Sequence, residues 1–221
     1  MCIILGKTEC IAHMNEKPDY DQLYAVAEGQ AGYFSASQAL EAGYSRERLS
    51  DLNARGRFQR VAHGVYRLAH FPGSPYEDLF IAWLRVGPNS VVSHESALGL
   101  YELSDVMPSE VHMIMPRTGS RRREGLRLHT NELNENEITH RQGLPVTTVA
   151  RTIRDVIQSG LPQEFVAQAI REALQRGLTT RDELIKQAGQ SSRRVAESIG
   201  KALEQTSGGP KICGIKNDNV L

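Results

Sequence analysis

YFSASQALEAGYSRERLSDLNARGRFQRVAHGVYRL, running from Tyr33 to Leu68, decides how the chain folds. Ser35 is placed to N-cap a helix with Ala36, Ala39 and Leu40 facing inward, and Gly43 ends it. Two residues on, Ser45 caps a second helix, Arg46 to Arg55, which Gly56 closes. Phe58–Val61 and Val65–Leu68 then read as strands around Ala62-His63-Gly64, where the glycine supplies turn geometry. Helix, tight turn, helix and hairpin in that order spell a winged helix-turn-helix.

Upstream, residues 19–29 read as a short helix with Leu23, Tyr24, Val26 and Ala27 as inward positions. Downstream, Pro75 to Val86 is an apolar helix (Leu79, Phe80, Trp83, Leu84) long enough to bridge two domains. Ser93 is placed to cap His94–Leu100. Strands follow at Val111–Met115, Leu126–His129 and about Glu137–His140, with the run Gly143–Val146 leading into a helix from Thr148 to about Gln158. A helix opened by Pro162 carries an apolar stripe of Phe165, Val166, Ala169, Ile170, Ala173 and Leu174, and Gly177 ends it. Thr180-Arg-Asp-Glu183 has the capping-box pattern, and Val195, Ile199 and Leu203 place a last helix. The expected class is therefore α+β: an N-terminal winged helix-turn-helix, then a mixed α/β domain with a small sheet and several C-terminal helices. The expected boundaries are a loose leader over 1–18, the winged domain over 19–72, the α/β domain over 73–206 and a flexible tail over 207–221.

Composition is ordinary for a globular chain, with 40% apolar and 24% charged residues and Lys+Arg balancing Asp+Glu at 26 each. A neutral total still leaves room for a local basic patch. The three cysteines, Cys2, Cys10 and Cys213, lie in the terminal segments, away from any core disulfide or four-ligand cage. No run approaches the 18 or so apolar residues of a membrane span, and the apolar run after Met1 is too short for a secretory signal. The expectation is a cytoplasmic protein.

Charge concentrates where the fold signal lies. Residues 33–68 hold six arginines (46, 48, 55, 57, 60, 67) against Glu41, Glu47 and Asp51, a net of +3. At 100° per residue, Leu49 and Leu52 form the docking face of the second helix. The opposite side shows Glu47, Ser50, Asp51 and Ala54, with Arg46 and Asn53 on one flank and Arg48 and Arg55 on the other. Short polar groups between long cations suit a major-groove reader: cations reach phosphates while short groups approach base edges. On this reading Arg46, Arg48 and Arg55 chiefly contribute affinity, with the cap Ser45 also among the DNA-binding candidates. Glu47, Ser50 and Asn53 are the candidates for sequence preference, Glu47 toward a cytosine amino group and Asn53 toward adenine. Arg57, Arg60, His63 and Arg67 make the hairpin a cationic wing for a phosphate backbone or a minor groove. The competing reading of these residues is a solvated basic face.

A second basic cluster, Arg117, Arg121, Arg122, Arg123 and Arg127, is either an auxiliary DNA or partner contact or a solvated loop. Arg151 and Asp155 stand at i and i+4, the spacing of a helical ion pair; the alternative is a helix that presents Arg151 and Arg154 to a partner. The seven histidines are scattered in sequence, with no His-x-x-x-His or Cys-x-x-Cys to pin a ligand set, so no metal and no cofactor is expected. No phosphate loop, nucleophile elbow or paired-carboxylate pattern occurs, which argues against an enzyme.

Tyr33–Gly43 and Arg57–Leu68, together with Val92-Ser-His-Glu-Ser-Ala-Leu98 and the run Gly143–Asp155, resemble the AbiEi family of antitoxins over about residues 19–190. The resemblance implies an autorepressor that binds double-stranded DNA at inverted repeats. It also implies a partner, a nucleotidyltransferase-like toxin of a type IV toxin–antitoxin (abortive-infection) system, with the C-terminal domain needed for antitoxicity. The alternative is a stand-alone winged-helix regulator whose C-terminal domain senses a ligand or assembles protomers.

Overall fold

The structure, a computed structural model, describes residues 17–115 and 124–207. Asp19 N-caps helix α1 (Tyr20–Glu28) by accepting from the Gln22 N–H at 2.9 Å. Strand β1 (Tyr33–Ser35) leads straight into α2 (Ala36–Glu41), where Ser35 and Gln38 cap each other reciprocally. After a turn through Gly43, α3 (Arg46–Ala54) starts at Ser45, whose Oγ accepts from the Arg48 N–H at 3.2 Å. Strands β2 (Phe58–Ala62) and β3 (Val65–Leu68) close the unit as a hairpin. Gly64 turns it at φ +71°, a backbone region that L side chains avoid.

The three strands form one sheet in the order β1-β3-β2, both pairings antiparallel, so β3 is the central strand. Its core gathers Leu23, Ala27, Phe34, Ala39, Ala42, Tyr44, Leu49, Phe58 and Leu68. Two inward positions expected from the sequence turn out exposed. Tyr24 is 38% exposed and leans on Phe71 with ring centroids 6.4 Å apart, while Leu40 is 45% exposed. The six-residue α2 has room for one apolar side, and Ala39 with the turn residues Ala42 and Tyr44 already fills it.

Helix α4 (Glu77–Val86) packs on β1 and β3 and also on β4 (Val91–Val92) and β5 (Val111–Ile114). Tyr33 stacks on Phe80 at 5.7 Å with the rings 11° from parallel. The second sheet runs β6-β5-β4-β8-β7, where β6 is Leu126–His129, β7 Ile138–Arg141 and β8 Leu144–Thr147. β5 pairs parallel with β6 and antiparallel with β4, and β4 pairs parallel with β8. Gly143, at φ +82°, lies so close to Gly29 that a Cβ there would stand 2.5 Å from the Gly29 carbonyl oxygen. No larger residue fits without moving backbone.

The chain groups into two compact units, cut differently from the 19–72 and 73–206 read from sequence. The first runs through Val92 and takes in Glu110–Asn134 and Ile138–Val146; the second holds Ser93–Ser109, Glu135–Glu137 and the residues from Thr147 onward. The expected bridging helix α4 lies wholly in the first unit, joining the winged sheet to the larger sheet.

The second unit is helical: α5 (His94–Tyr101), α6 (Val149–Ser159), α7 (Gln163–Gln175), α8 (Arg181–Gly189) and α9 (Arg193–Ser207). α6 packs on each of the other four, and its Val149, Ile153, Val156 and Ile157 are buried. The apolar stripe of α7 is buried at Val166, Ala169, Ile170 and Ala173, and the Thr180–Glu183 capping box forms. Ser93 does not cap α5; its hydroxyl lies 3.0 Å from the neighbouring His94 Nδ1 instead. No described helix is long and apolar enough to cross a membrane.

Candidate nucleic-acid interface

Helix α3 keeps Leu49 inside at 1% exposure, with Leu52 half-buried, and shows the rest of its surface to solvent. Arg46, Glu47, Arg48, Ser50, Asn53 and Arg55 are all exposed, as the 100° projection requires. Ser45 is committed as the helix cap. The Glu47 carboxyl is held below its ordinary range by the backbone N–H groups at the helix start and by the Ser45 hydroxyl. That places Glu47 at the positive end of the α3 dipole.

The C-terminal turn of α3 is tied to the hairpin. Arg57 N–H donates to the Leu52 carbonyl at 2.9 Å, and the Asn53 Oδ1 accepts from the Arg60 N–H at 2.8 Å. Within the wing, Arg60 Nη2 lies 3.2 Å from His63 Nδ1. Arg57, Gln59, Arg60 and His63 are exposed. Gln59 and Arg60 are both in regular register, opposite Arg67 and Tyr66, and so lie on opposite faces of β2; the shift of register comes after them, between Arg60 and Ala62. Gln59 is an exposed residue of the hairpin that the sequence does not signal, and it shares the face of its register partner Arg67, not that of Arg60.

Arg55 bonds Asp51 through Nε at 2.9 Å. Its guanidinium stays outside, with the side chain 71% exposed.

Arg67 departs from the expected group. It sits on the central strand β3, half-buried, with its guanidinium carbon 5.7 Å from the centre of the Tyr33 ring and Nη2 donating to the Phe71 carbonyl. Arg67 is the register partner of Tyr33 and shares its face of the sheet, so this cation is engaged inside the unit by that ring and by the loop after β3. Among the second basic cluster, Arg127 is exposed on β6; Arg117, Arg121, Arg122 and Arg123 lie outside the described residues.

Two of the histidines that are scattered in sequence come together. His112 and His129, on the adjacent parallel strands β5 and β6, have ring centroids 5.3 Å apart. His112 is 5% exposed.

The family comparison falls on the same region. Residues 21–69 match the family profile described as transcriptional regulator, AbiEi antitoxin. That range holds α1, β1, α2, α3 and the β2–β3 hairpin. No protein of curated function matches the sequence. Among solved structures, the RV2827C protein from Mycobacterium tuberculosis shares the fold at a TM-score of 0.54 and 12% identity, over 85% of this chain and 76% of that one. Over residues 21–69, therefore, this chain carries the signature of the AbiEi family of antitoxin transcriptional regulators.

Proposed function

We propose that this chain is a non-enzymatic, cytoplasmic transcriptional repressor. It grips double-stranded DNA with α3 and the β2–β3 wing, and serves as the antitoxin of a nucleotidyltransferase-like toxin. The observation that carries the DNA-binding part is convergence. Arg46 and Arg48 on α3 and Arg57, Arg60 and His63 on the hairpin are exposed in one small unit whose helix and hairpin are hydrogen-bonded to each other. The helix has the dimensions and the small outward residues of a major-groove reader, and the wing offers cations for the neighbouring backbone. The match of residues 21–69 to a family described as transcriptional regulator, AbiEi antitoxin, supports the antitoxin part of this reading; the inverted-repeat operator is what the resemblance implies.

The direct test is the salt dependence of binding to a duplex drawn from the chain's own promoter. Removing one cation–phosphate pair lowers the slope of log K against log salt by about 0.9, so Arg46→Ala with Arg48→Ala should flatten it by about 2 and weaken binding roughly tenfold or more at moderate salt. An unchanged slope removes α3 from the interface. The antitoxin part is tested in cells with the same full-length double variant. Co-expressed with the neighbouring toxin gene, it should still rescue growth while failing to repress the promoter. Loss of both activities together would tie neutralisation to DNA binding.

A further inference from the structure

Asn53 has the residue type and the helical position of a base reader, yet its side chain is engaged elsewhere. Recognition of adenine by asparagine uses Oδ1 and Nδ2 together on the base edge. Here Oδ1 accepts from the Arg60 backbone N–H at 2.8 Å, and the donor's identity requires that the oxygen, not the amide nitrogen, face the wing. β2 is an edge strand of the β1-β3-β2 sheet, so a backbone N–H on its outer side has no strand partner. Asn53 supplies one from the last turn of α3. The point it holds is Arg60, the last residue in regular register before the bulge, beyond which come His63 and the turn at Gly64. Arg60 in turn reaches His63 Nδ1 at 3.2 Å, so the side chain of Asn53 is the first link of a chain that ends at the wing tip.

We infer that Asn53 is a positioning residue that fixes the wing against the recognition helix, so that Arg57, Arg60 and His63 meet the duplex backbone in register with Arg46 and Arg48. The inference rests on the DNA-binding reading above and assigns Asn53 no base. Freed from Asn53, the hairpin still folds on Phe58 and Leu68, but its cations are presented over a range of angles. Binding then forfeits the wing's share and keeps the specificity of the helix.

The test is a double-mutant cycle in the full-length protein, read as the salt slope of binding to a fluorescent duplex selected from a random pool by the wild type. Thermal melting by circular dichroism reports the folded fraction of every variant. In the wild type, Arg60→Ala should lower the slope by about 1. Asn53→Ala should lower it by about 2 with the selected sequence preference intact, and adding Arg60→Ala should then change little. Asn53→Asp, which keeps the acceptor and discards the amide donor that adenine needs, should restore the response to Arg60→Ala. Where the alanine variant melts below the assay temperature, the aspartate cycle decides alone.

Three results overturn the inference and leave DNA binding standing. One is a changed preference at a single base pair with the slope intact. Another is full additivity of Asn53→Ala with Arg60→Ala. The third is an aspartate variant in which Arg60→Ala has no effect. A wild type that binds no duplex overturns the DNA-binding reading and this inference with it.

Discussion

Asp51–Arg55 on α3 and Arg151–Asp155 on α6 are ion pairs of the same residue types, at the same i,i+4 spacing, and both are 2.9 Å long. Their surroundings are opposite. On α3 the arginine side chain is 71% exposed and the aspartate 43%; on α6 the values are 1% and 0%. At the surface, solvent and salt screen the attraction and the arginine keeps most of its guanidinium for another partner. Inside, neither charge has water, and each depends on the other. Arg151 Nε donates to both Asp155 oxygens at 3.0 and 2.9 Å, and its Nη1 donates to Glu137 at 2.6 Å. Arg154 lies 3.6 Å from Glu137 and 3.4 Å from Asp155, making a cluster of two cations and two anions. One spacing thus yields a solvated cationic face in one region and a structural anchor in the other.

The comparison breaks most sharply at Arg151. Arg151→Met fills the space but leaves the buried Asp155 and Glu137 with only the longer contacts to Arg154, which should cost about 3–5 kcal/mol of stability. Urea unfolding measures it. Adding Asp155→Leu should recover part of the loss, since an apolar pair of similar volume carries no desolvation penalty. A loss under about 1 kcal/mol for Arg151→Met would place the buried pair in the same class as the exposed one.

The second effect is one of pH. Burial pushes the Asp155 carboxyl above its ordinary range, with Arg151 and then Arg154 pulling it back only in part. The folded state therefore holds this proton more tightly than the unfolded chain does. Its contribution to stability is fullest at or below the ordinary carboxylate range and declines as pH rises through the raised folded value. The stability of the wild type relative to Asp155→Asn should accordingly fall with rising pH across that window, in unfolding curves taken at several pH values. A difference that grows with pH would mean that the two arginines outweigh desolvation.

These two pairs also mark what residues alone reveal. The spacing of Arg151 and Asp155 is visible in the sequence, and pairing follows from it. Their burial is not, because it comes from α6 being packed by four other helices, and its Thr152, Arg151 and Asp155 read as a polar face. Caps and turns are legible because each is settled within a few residues, as at Ser35, Ser45, Gly64 and Thr180. The exposed cations of α3 follow from Leu49 and Leu52 alone. The partners of Arg67 are not legible locally, because only the pairing of β1 with β3 brings the Tyr33 ring onto the same face of the sheet. The division of the chain escapes for a similar reason. Gly143 beside Gly29 and Phe80 on Tyr33 join segments far apart in sequence, and no local pattern marks them as neighbours.

The smallest expected stability effect lies at the exposed pair, and there it separates folding from binding. Asp51→Ala removes one partner of an i,i+4 pair that water already solvates, so stability should change by no more than about 1 kcal/mol. Asp51 is also one of the few anions among the exposed cations of α3, the face proposed to meet DNA, and it holds Arg55 along the helix. Without it, Arg55 is released toward the phosphates and a repulsive charge is gone. Duplex affinity should rise, and the salt slope should steepen by up to about 1 as one more phosphate is neutralised. Filter binding or fluorescence anisotropy at several salt concentrations reads both quantities. Weaker binding would carry a different meaning: the pair orients Arg55 toward its phosphate, and the exposed ion pair would then be a preorganising element whose benefit is seen only on DNA.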